Sequence, residues 1–295
     1  MTAEADWAYG ATVAKWRLSR RLAAMRRRVG MRVGEVDDRL GWNRGRLQRI
    51  EGNRWTLPDP SYIRDLLRLY DADQNEQDEL LDLAQHGRAR LWWRDYAADK
   101  NDEARVFENE FPGFENDATR ISTYMPLVIP GLLQTRPYGE ALMQVGPRPP
   151  TWRERALEAR LRRQQILDRD DGTAPRLITV ITEASLMYRW GTKADRQDQI
   201  EHLISMSRRP NVELRLLRFE DGPHPGMSSL INIFEFPDDD QDPSVVYLEN
   251  DTAIQEVTRA EDVRAYTATF GRIRQAALAS STTTAYFEKL VETLE

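Results

Sequence analysis

The chain has 295 residues, a net charge of −6 and 40% hydrophobic residues, which suits two domains with buried cores rather than one small module. It has no cysteine, so disulfides, thiolate metal sites and cysteine nucleophiles are excluded; no apolar run reaches the ~20 residues of a membrane span, the N-terminus lacks the apolar stretch of a signal peptide, and a soluble cytoplasmic protein is expected. Charge is unevenly placed, because residues 1–60 carry 13 Lys or Arg against 7 Asp or Glu, net +6, and the remainder carries −12: a basic head on an acidic body.

Residues 1–12 show no period and are expected to be flexible. From Lys15 the spacing is helical, with Leu18, Leu22, Met25 and Val29 on one apolar stripe and Arg17, Arg20, Arg21 and Arg26 to Arg28 mostly outside it. Gly30 ends this helix. The stretch Val33–Glu51, VGEVDDRLGWNRGRLQRIE, then predicts two short helices joined by a tight turn. Val36 and Leu40 lie four apart, Gly41 breaks the first helix, Asn43 can cap the second, and Leu47 and Ile50 lie three apart. Arg44, Arg46, Gln48 and Arg49 are left outward on the second helix, where their donors suit phosphate oxygens and base edges in a major groove. This is a helix-turn-helix; an ordinary helical hairpin with a solvated basic face gives the same local pattern. Arg54 follows in the loop from Gly52 to Pro58, placed to touch a phosphate. Asp59-Pro60 marks a capped helix start, with Ile63, Leu66, Leu67 and Tyr70 inward. A fifth helix begins at Asn75, turns Leu80, Leu81 and Ala84 inward and ends near Gly87.

Five helices in this order, with Gly41-Trp42-Asn43 in the turn and Arg49-Ile50-Glu51-Gly52-Asn53-Arg54 closing the second of the pair, resemble the lambda-repressor-like fold of the XRE family of regulators. The resemblance implies an all-α, five-helix head over residues 13–90 that binds double-stranded DNA. On this reading Arg17, Arg32 and Arg54 hold phosphates, Arg44, Arg46, Gln48 and Arg49 read bases, and Asn43 belongs to the same interface. Three positions depart from the family pattern. Val33 stands where a glutamine usually helps to position the reading helix. Asp37 stands where alanine lets the two helices approach, so it is expected to point outward, pair with an arginine or widen the packing. Gly45, read as lying inside the second helix, costs about 1 kcal/mol relative to alanine. Weak, partner-dependent or partly lost DNA binding is expected from these departures.

Residues 91–104 read as a linker. Adjacent Trp92 and Trp93 cannot share one narrow helix face, so one is expected to pack on the head and the other on the body, or to form a ligand or partner platform. Residues 105–295 have the composition of a second domain. A helix from Phe107 to Thr119 is expected to break at Pro112-Gly113; Pro126–Tyr138 forms a fixed non-helical crossing; helices follow over Tyr138–Val145 and Arg153–Leu167. Strands are expected only beyond this point, at Arg176–Thr182, Val212–Leu216, Leu230–Phe236 and Val245–Leu248, the last two separated by the acidic turn Asp238–Pro243. Helical segments at Glu183–Tyr188, Asp195–Met206, Val263–Ala277 and Tyr286–Leu294 complete an α+β domain with a small mixed or antiparallel sheet.

Glu115, Ile121, Tyr124, Pro130-Gly-Leu-Leu-Gln-Thr135 with Tyr138, Pro210-Asn-Val212, His224-Pro-Gly226 and Glu235-Phe-Pro237 before Val245-Val-Tyr-Leu248 resemble, in combination, the C-terminal domain of actinomycete WhiJ-type regulators. That resemblance implies a cytosolic transcription regulator, sometimes antitoxin-like, often working with a small partner protein, and it carries over no catalytic residue. Enzymatic patterns are correspondingly thin. His86, His202 and His224 lie in separate segments without metal-ligand spacing, and there is no glycine-rich phosphate loop or G-x-S-x-G elbow. Asp238–Asp242 reads as a solvated hairpin turn rather than a calcium loop. No enzyme activity, cofactor or metal is expected. The most site-like part of the body is the Pro130–Tyr138 crossing taken with the His224 loop, which makes Tyr124, Gln134, Tyr138 and His224, together with Trp92 and Trp93, candidates for a ligand or partner site; a tightly packed structural crossing is the other reading. The sequence therefore points to a DNA-binding regulator, a homodimer on paired half-sites whose body receives a protein or small-molecule signal. The alternative is a protein-binding adaptor with a degenerate helix-turn-helix.

Overall fold

A computed structural model describes residues 10–55, 57–96, 110–146, 148–227, 230–238, 243–249 and 254–294. Most of the expected flexible N-terminus, linker residues 97–104, the helix start at Phe107 and residues 239–242 of the acidic turn lie outside the described residues. The chain falls into two compact units, Met1–Trp92 and Trp93–Glu295.

In the first unit five helices follow the expected order: α1 Ala11–Arg28, α2 Val33–Arg39, α3 Arg46–Glu51, α4 Pro60–Leu69 and α5 Gln74–His86. Their apolar stripes converge on a core that includes Leu18, Leu22, Val36, Leu47, Ile63, Leu66, Leu80 and Leu83. Val29, expected on the stripe, ends α1 and is exposed, and Leu83 takes the inward place expected for Leu81. The Asp59 carboxylate accepts from the Ser61 amide at 2.9 Å and Pro60 opens α4, where its missing N–H costs nothing. Asp73 and Glu76 form a reciprocal capping box at the start of α5. Three arginines of α1 are tied down by carboxylates: Arg21 to Glu79 at 2.8 Å, Arg26 to Glu51 at 2.6 Å and Arg28 to Glu76 at 2.6 Å.

The second unit is built on a six-stranded sheet. After a 3₁₀ turn at Trp92–Tyr96 come α6 Phe111–Asp117, β1 Arg120–Met125, α7 Arg136–Gln144, α8 Pro150–Gln164, β2 Arg176–Thr182, α9 Ala184–Met187, α10 Lys193–Ser207, β3 Val212–Leu217, β4 Ile231–Glu235, β5 Val245–Glu249, β6 Ile254–Val257, α11 Ala260–Ala276 and α12 Ser280–Thr293. The strand order is β3-β2-β1-β4-β5-β6, with β1, β2 and β3 parallel and the β4, β5 and β6 pairings antiparallel, so the sheet is mixed.

Two expectations are corrected here. Strands do not begin at Arg176, because β1 already lies at the centre of the sheet; its Ser122 and Thr123 are buried beside Ile121 and Tyr124, which hides the usual alternation. The helix is not broken at Pro112-Gly113, because Pro112 sits in its first turn, where a missing N–H is harmless.

Tyr124, Ile178, Val180, Ile231, Ile233 and Val246 share one sheet face and pack under Phe270 and Ile273 of α11. Register places Phe234 and Tyr247 on the opposite face, where Phe111 and Phe114 of α6 meet them. The outer edge of β3 is covered: the Leu216 amide donates to Thr283 Oγ1 at 3.2 Å, and its carbonyl accepts from the Leu278 amide at 2.9 Å. Among the described residues no helix is long and apolar enough to cross a membrane.

Candidate nucleic-acid interface

The reading helix is set by its start. Asp37, in α2, is 1% exposed and points neither outward nor to an arginine; its carboxylate accepts from the Gly45 amide at 2.8 Å and the Leu47 amide at 3.0 Å. It thereby takes two N–H groups at the beginning of α3 that have no intrahelical partner, and its charge opposes the helix dipole there. Gly45 is not inside the helix. It is the N-cap residue, at φ +82°, a left-handed conformation that favours glycine, so the expected propensity cost does not arise. Asn43 does not cap, because the helix starts three residues later; its carbonyl accepts from the Arg46 amide at 3.1 Å. Asn43 and Arg44 lie in the turn, both exposed.

Leu47 and Ile50 bury the inner face of α3, which leaves Gln48 and Arg49 exposed on the outside with Arg54 just beyond the helix. Arg46 is half-buried. Its guanidinium lies 4.5 Å from the ring centroid of Tyr62 and 5.7 Å from that of Trp42, and the two rings meet edge to face at 5.1 Å. This aromatic corner holds the arginine by cation–π attraction without consuming its charge. Arg46, Arg49, Arg54, Asp59 and Tyr62 also line a hollow of about 270 Å³. Arg32, at the start of α2, is exposed. Among the described residues none of Arg32, Arg44, Arg46, Arg49 and Arg54 pairs with a carboxylate, in contrast to Arg21, Arg26 and Arg28. Arg17 is corrected: at 8% exposure it is buried in α1, where a phosphate does not reach it. The sequence reading missed Tyr62 and the holding role of Trp42, although an aromatic three residues into a Pro-capped helix was the available signal.

The candidates in the second unit do not form one site. Tyr124 lies on the α11 face with its ring 5.8 Å from that of His224, and Gly226 leaves no room for a Cβ against Tyr124. The His224 imidazole accepts from the Gly226 amide at 3.2 Å, and burial lowers its pKa. Gln134 and Tyr138 belong instead to the Pro130–Tyr138 crossing. The Tyr138 hydroxyl accepts from the Ile129 amide at 3.0 Å and its ring packs edge to face on Trp190. Three glutamines satisfy the crossing's backbone: Gln134 donates to Ile129 O, Gln164 to Gly131 O and Gln134 O, and Gln199 to Leu133 O while accepting from the Thr135 amide. The crossing is thus a fixed structural element, and among the described residues no hydrogen bond or ring contact joins Gln134 or Tyr138 to the His224 loop.

Gln134 and Trp93 do line a cavity of about 230 Å³ within this unit, with Val128, Met143 and Trp152 among its apolar walls. Trp92 falls at the end of the first unit. Two arginines of α8 reach the cavity. Arg163 makes a bidentate pair with Glu115 at 2.6 and 2.8 Å, whereas Arg160 donates to the neutral Gln134 Oε1 at 2.7 Å. The sequence reading placed a helix at Arg153–Leu167 and assigned none of its arginines to a site. The signal was the spacing of Trp152, Ala156, Ala159 and Arg163, which puts an arginine in line with the buried stripe. Among the described residues no group of three His, Asp or Glu is placed to hold a metal ion.

No curated protein and no solved structure matches the chain. Residues 17–80 match the helix-turn-helix domain family, in agreement with the geometry of α2 and α3. Residues 109–289, more than half of the chain, match the domain of unknown function DUF5753, and the chain therefore belongs to the DUF5753 family with a helix-turn-helix domain at its N-terminal side.

Proposed function

We propose that the protein is a cytoplasmic transcription regulator that binds duplex DNA through α3 and its flanking arginines, and acts by occupying its site rather than by catalysis. The observation that carries this is a division of labour among arginines of the head: Arg21, Arg26 and Arg28 of α1 are held in ion pairs, while Arg44, Arg46, Arg49 and Arg54 around α3 pair with no carboxylate among the described residues and are left for phosphates and base edges. Arg32 and Gln48 extend the same surface, and Asn43 borders it.

Because α3 has six residues, one copy offers few base contacts, and binding as a homodimer on paired half-sites is part of the proposal. The second unit is assigned the reception of a small-molecule or protein signal. A small partner protein and an antitoxin-like role rest on the sequence resemblance alone. The test is a gel shift of the full chain on its own promoter region with the variant R46A/R49A beside it, together with genome-wide recovery of bound DNA. Loss of the shift in the variant supports the proposal; an unchanged shift sinks it.

A further inference from the structure

Burying a guanidinium beside another of like charge is unfavourable unless an anion answers it. In the cavity of the second unit Glu115 answers Arg163 with both oxygens, and the Arg163 guanidinium also lies 5.0 Å over the Phe111 ring. Arg160 has no carboxylate in direct contact among the described residues, although Glu115 and Glu249 attract it from a distance. Among the described residues its one hydrogen bond goes to a neutral amide oxygen, which leaves most of its five donors unspent in a partly enclosed site. Glu249 also lines the cavity: it makes no direct ion pair with either arginine, but its charge attracts both from a distance, and burial raises its own pKa. Burial, with Arg163 adding its like charge, lowers the Arg160 pKa to about 10 against the opposing pull of Glu115 and Glu249. The other walls are apolar, and the volume of about 230 Å³ holds about eight water-sized groups at ~30 Å³ each.

We propose that this cavity binds a small amphipathic carboxylate, whose carboxylate pairs with Arg160 while its apolar body lies against Val128, Met143 and Trp152. A monoanion fits better than a phosphate, since one guanidinium fork matches one carboxylate and the remaining wall offers no second cluster of donors. The proposal deepens the reading of the second unit as the signal-receiving half and rests on it.

Binding is tested on the full chain without DNA, by calorimetry and by the fluorescence of cavity residues Trp93 and Trp152, with octanoate, 4-phenylbutyrate and the amide of each. At least one acid is expected to bind below millimolar concentration and its amide about tenfold more weakly, because a charge-assisted pair outweighs a neutral bond. Arg160→Gln removes that preference. Leu142→Trp, on the partly exposed α7 wall, weakens acid and amide together and keeps the comparison decisive if Arg160→Gln does not fold. Acids that fail to bind at millimolar concentration, or amides that bind as well as acids, overturn the proposal. Since no DNA is present, that failure is separate from failure of the DNA-binding reading, which R46A/R49A tests.

Discussion

Replacing Asp37 by alanine sets the family pattern against the geometry of this chain. Alanine is the residue the helix-turn-helix resemblance leads one to expect there, so pattern alone predicts a neutral or stabilising change. The structure predicts the opposite. Two bonds to backbone amides disappear, from Gly45 at 2.8 Å and Leu47 at 3.0 Å, and the Leu47 amide is left buried without an acceptor. Bonds to a charged group are worth about 1.5–3 kcal/mol each and loss of an N-cap costs about 0.5–2 kcal/mol. These overlap rather than add, so the expected loss is about 3 kcal/mol, a large part of the 5–15 kcal/mol that holds a typical domain. Asp37→Asn keeps an acceptor oxygen and should lose about half as much. Hydrogen exchange over residues 45–51 reads the start of α3 directly, and a urea titration reads the head as a whole. DNA affinity should fall with protection, because Arg46 and Arg49 ride on the same helix. If alanine leaves exchange unchanged and stability within about 0.5 kcal/mol, the size of an ordinary surface substitution, Asp37 is not the cap described above.

Other outcomes follow from single contacts. Tyr62→Ala should weaken DNA binding about two- to fivefold, the equivalent of the 0.5–1 kcal/mol of an exposed cation–π contact, while Tyr62→Phe should bind nearly as the native chain does; anisotropy titrations distinguish them. Glu115→Ala leaves Arg163 buried beside Arg160 without its bidentate partner, and should cost the second unit about 3–5 kcal/mol by urea denaturation; a cost under 1 kcal/mol would show that the pair is solvated. Acid should destabilise the second unit through His202, whose pKa is lowered by burial first and by Arg209 next, against an opposing pull from Asp168. The unfolded chain takes the proton first, so this contribution is whole above about pH 6.5 and is lost as pH falls toward the folded pKa. Between pH 7.5 and 5.5 the native urea midpoint should drop more than that of His202→Leu, and parallel drops would exclude the assignment.

The head was largely legible because its signals are local. Asp59-Pro60, the stripe through Leu18 and Leu22, and the pair Leu47 and Ile50 each depend on neighbours within a turn or two. What escaped was long-range. Asp37 looked out of place until Gly45 and Leu47, eight and ten residues on, came within reach of its carboxylate, and the same contact moved Gly45 from the helix interior to its cap. Arg17 read as a phosphate contact, since nothing local marks it as buried. In the second unit β1 was hidden by a buried polar row in which Thr123 Oγ1 donates to Asn232 at 2.8 Å, a partner more than 100 residues away. Sequence separation also scattered the cluster of Glu115, Gln134, Arg160 and Arg163: Gln134 was singled out as a candidate, but 26 residues separate it from Arg160 and 48 separate Glu115 from Arg163, and neither arginine was assigned to a site.

The central claim is that the arginines around α3 bind and read DNA, and its most direct test is the salt dependence of affinity for a duplex recovered with the full chain, measured for the native protein, R54A and R46A/R49A. The native affinity should fall steeply with salt, R54A should lower the slope by about one unit as one phosphate contact is lost, and R46A/R49A should weaken specific binding at least tenfold at about 1–3 kcal/mol per base contact. Native-like affinity and slope in both variants would contradict the claim and leave the helix-turn-helix as a structural element only.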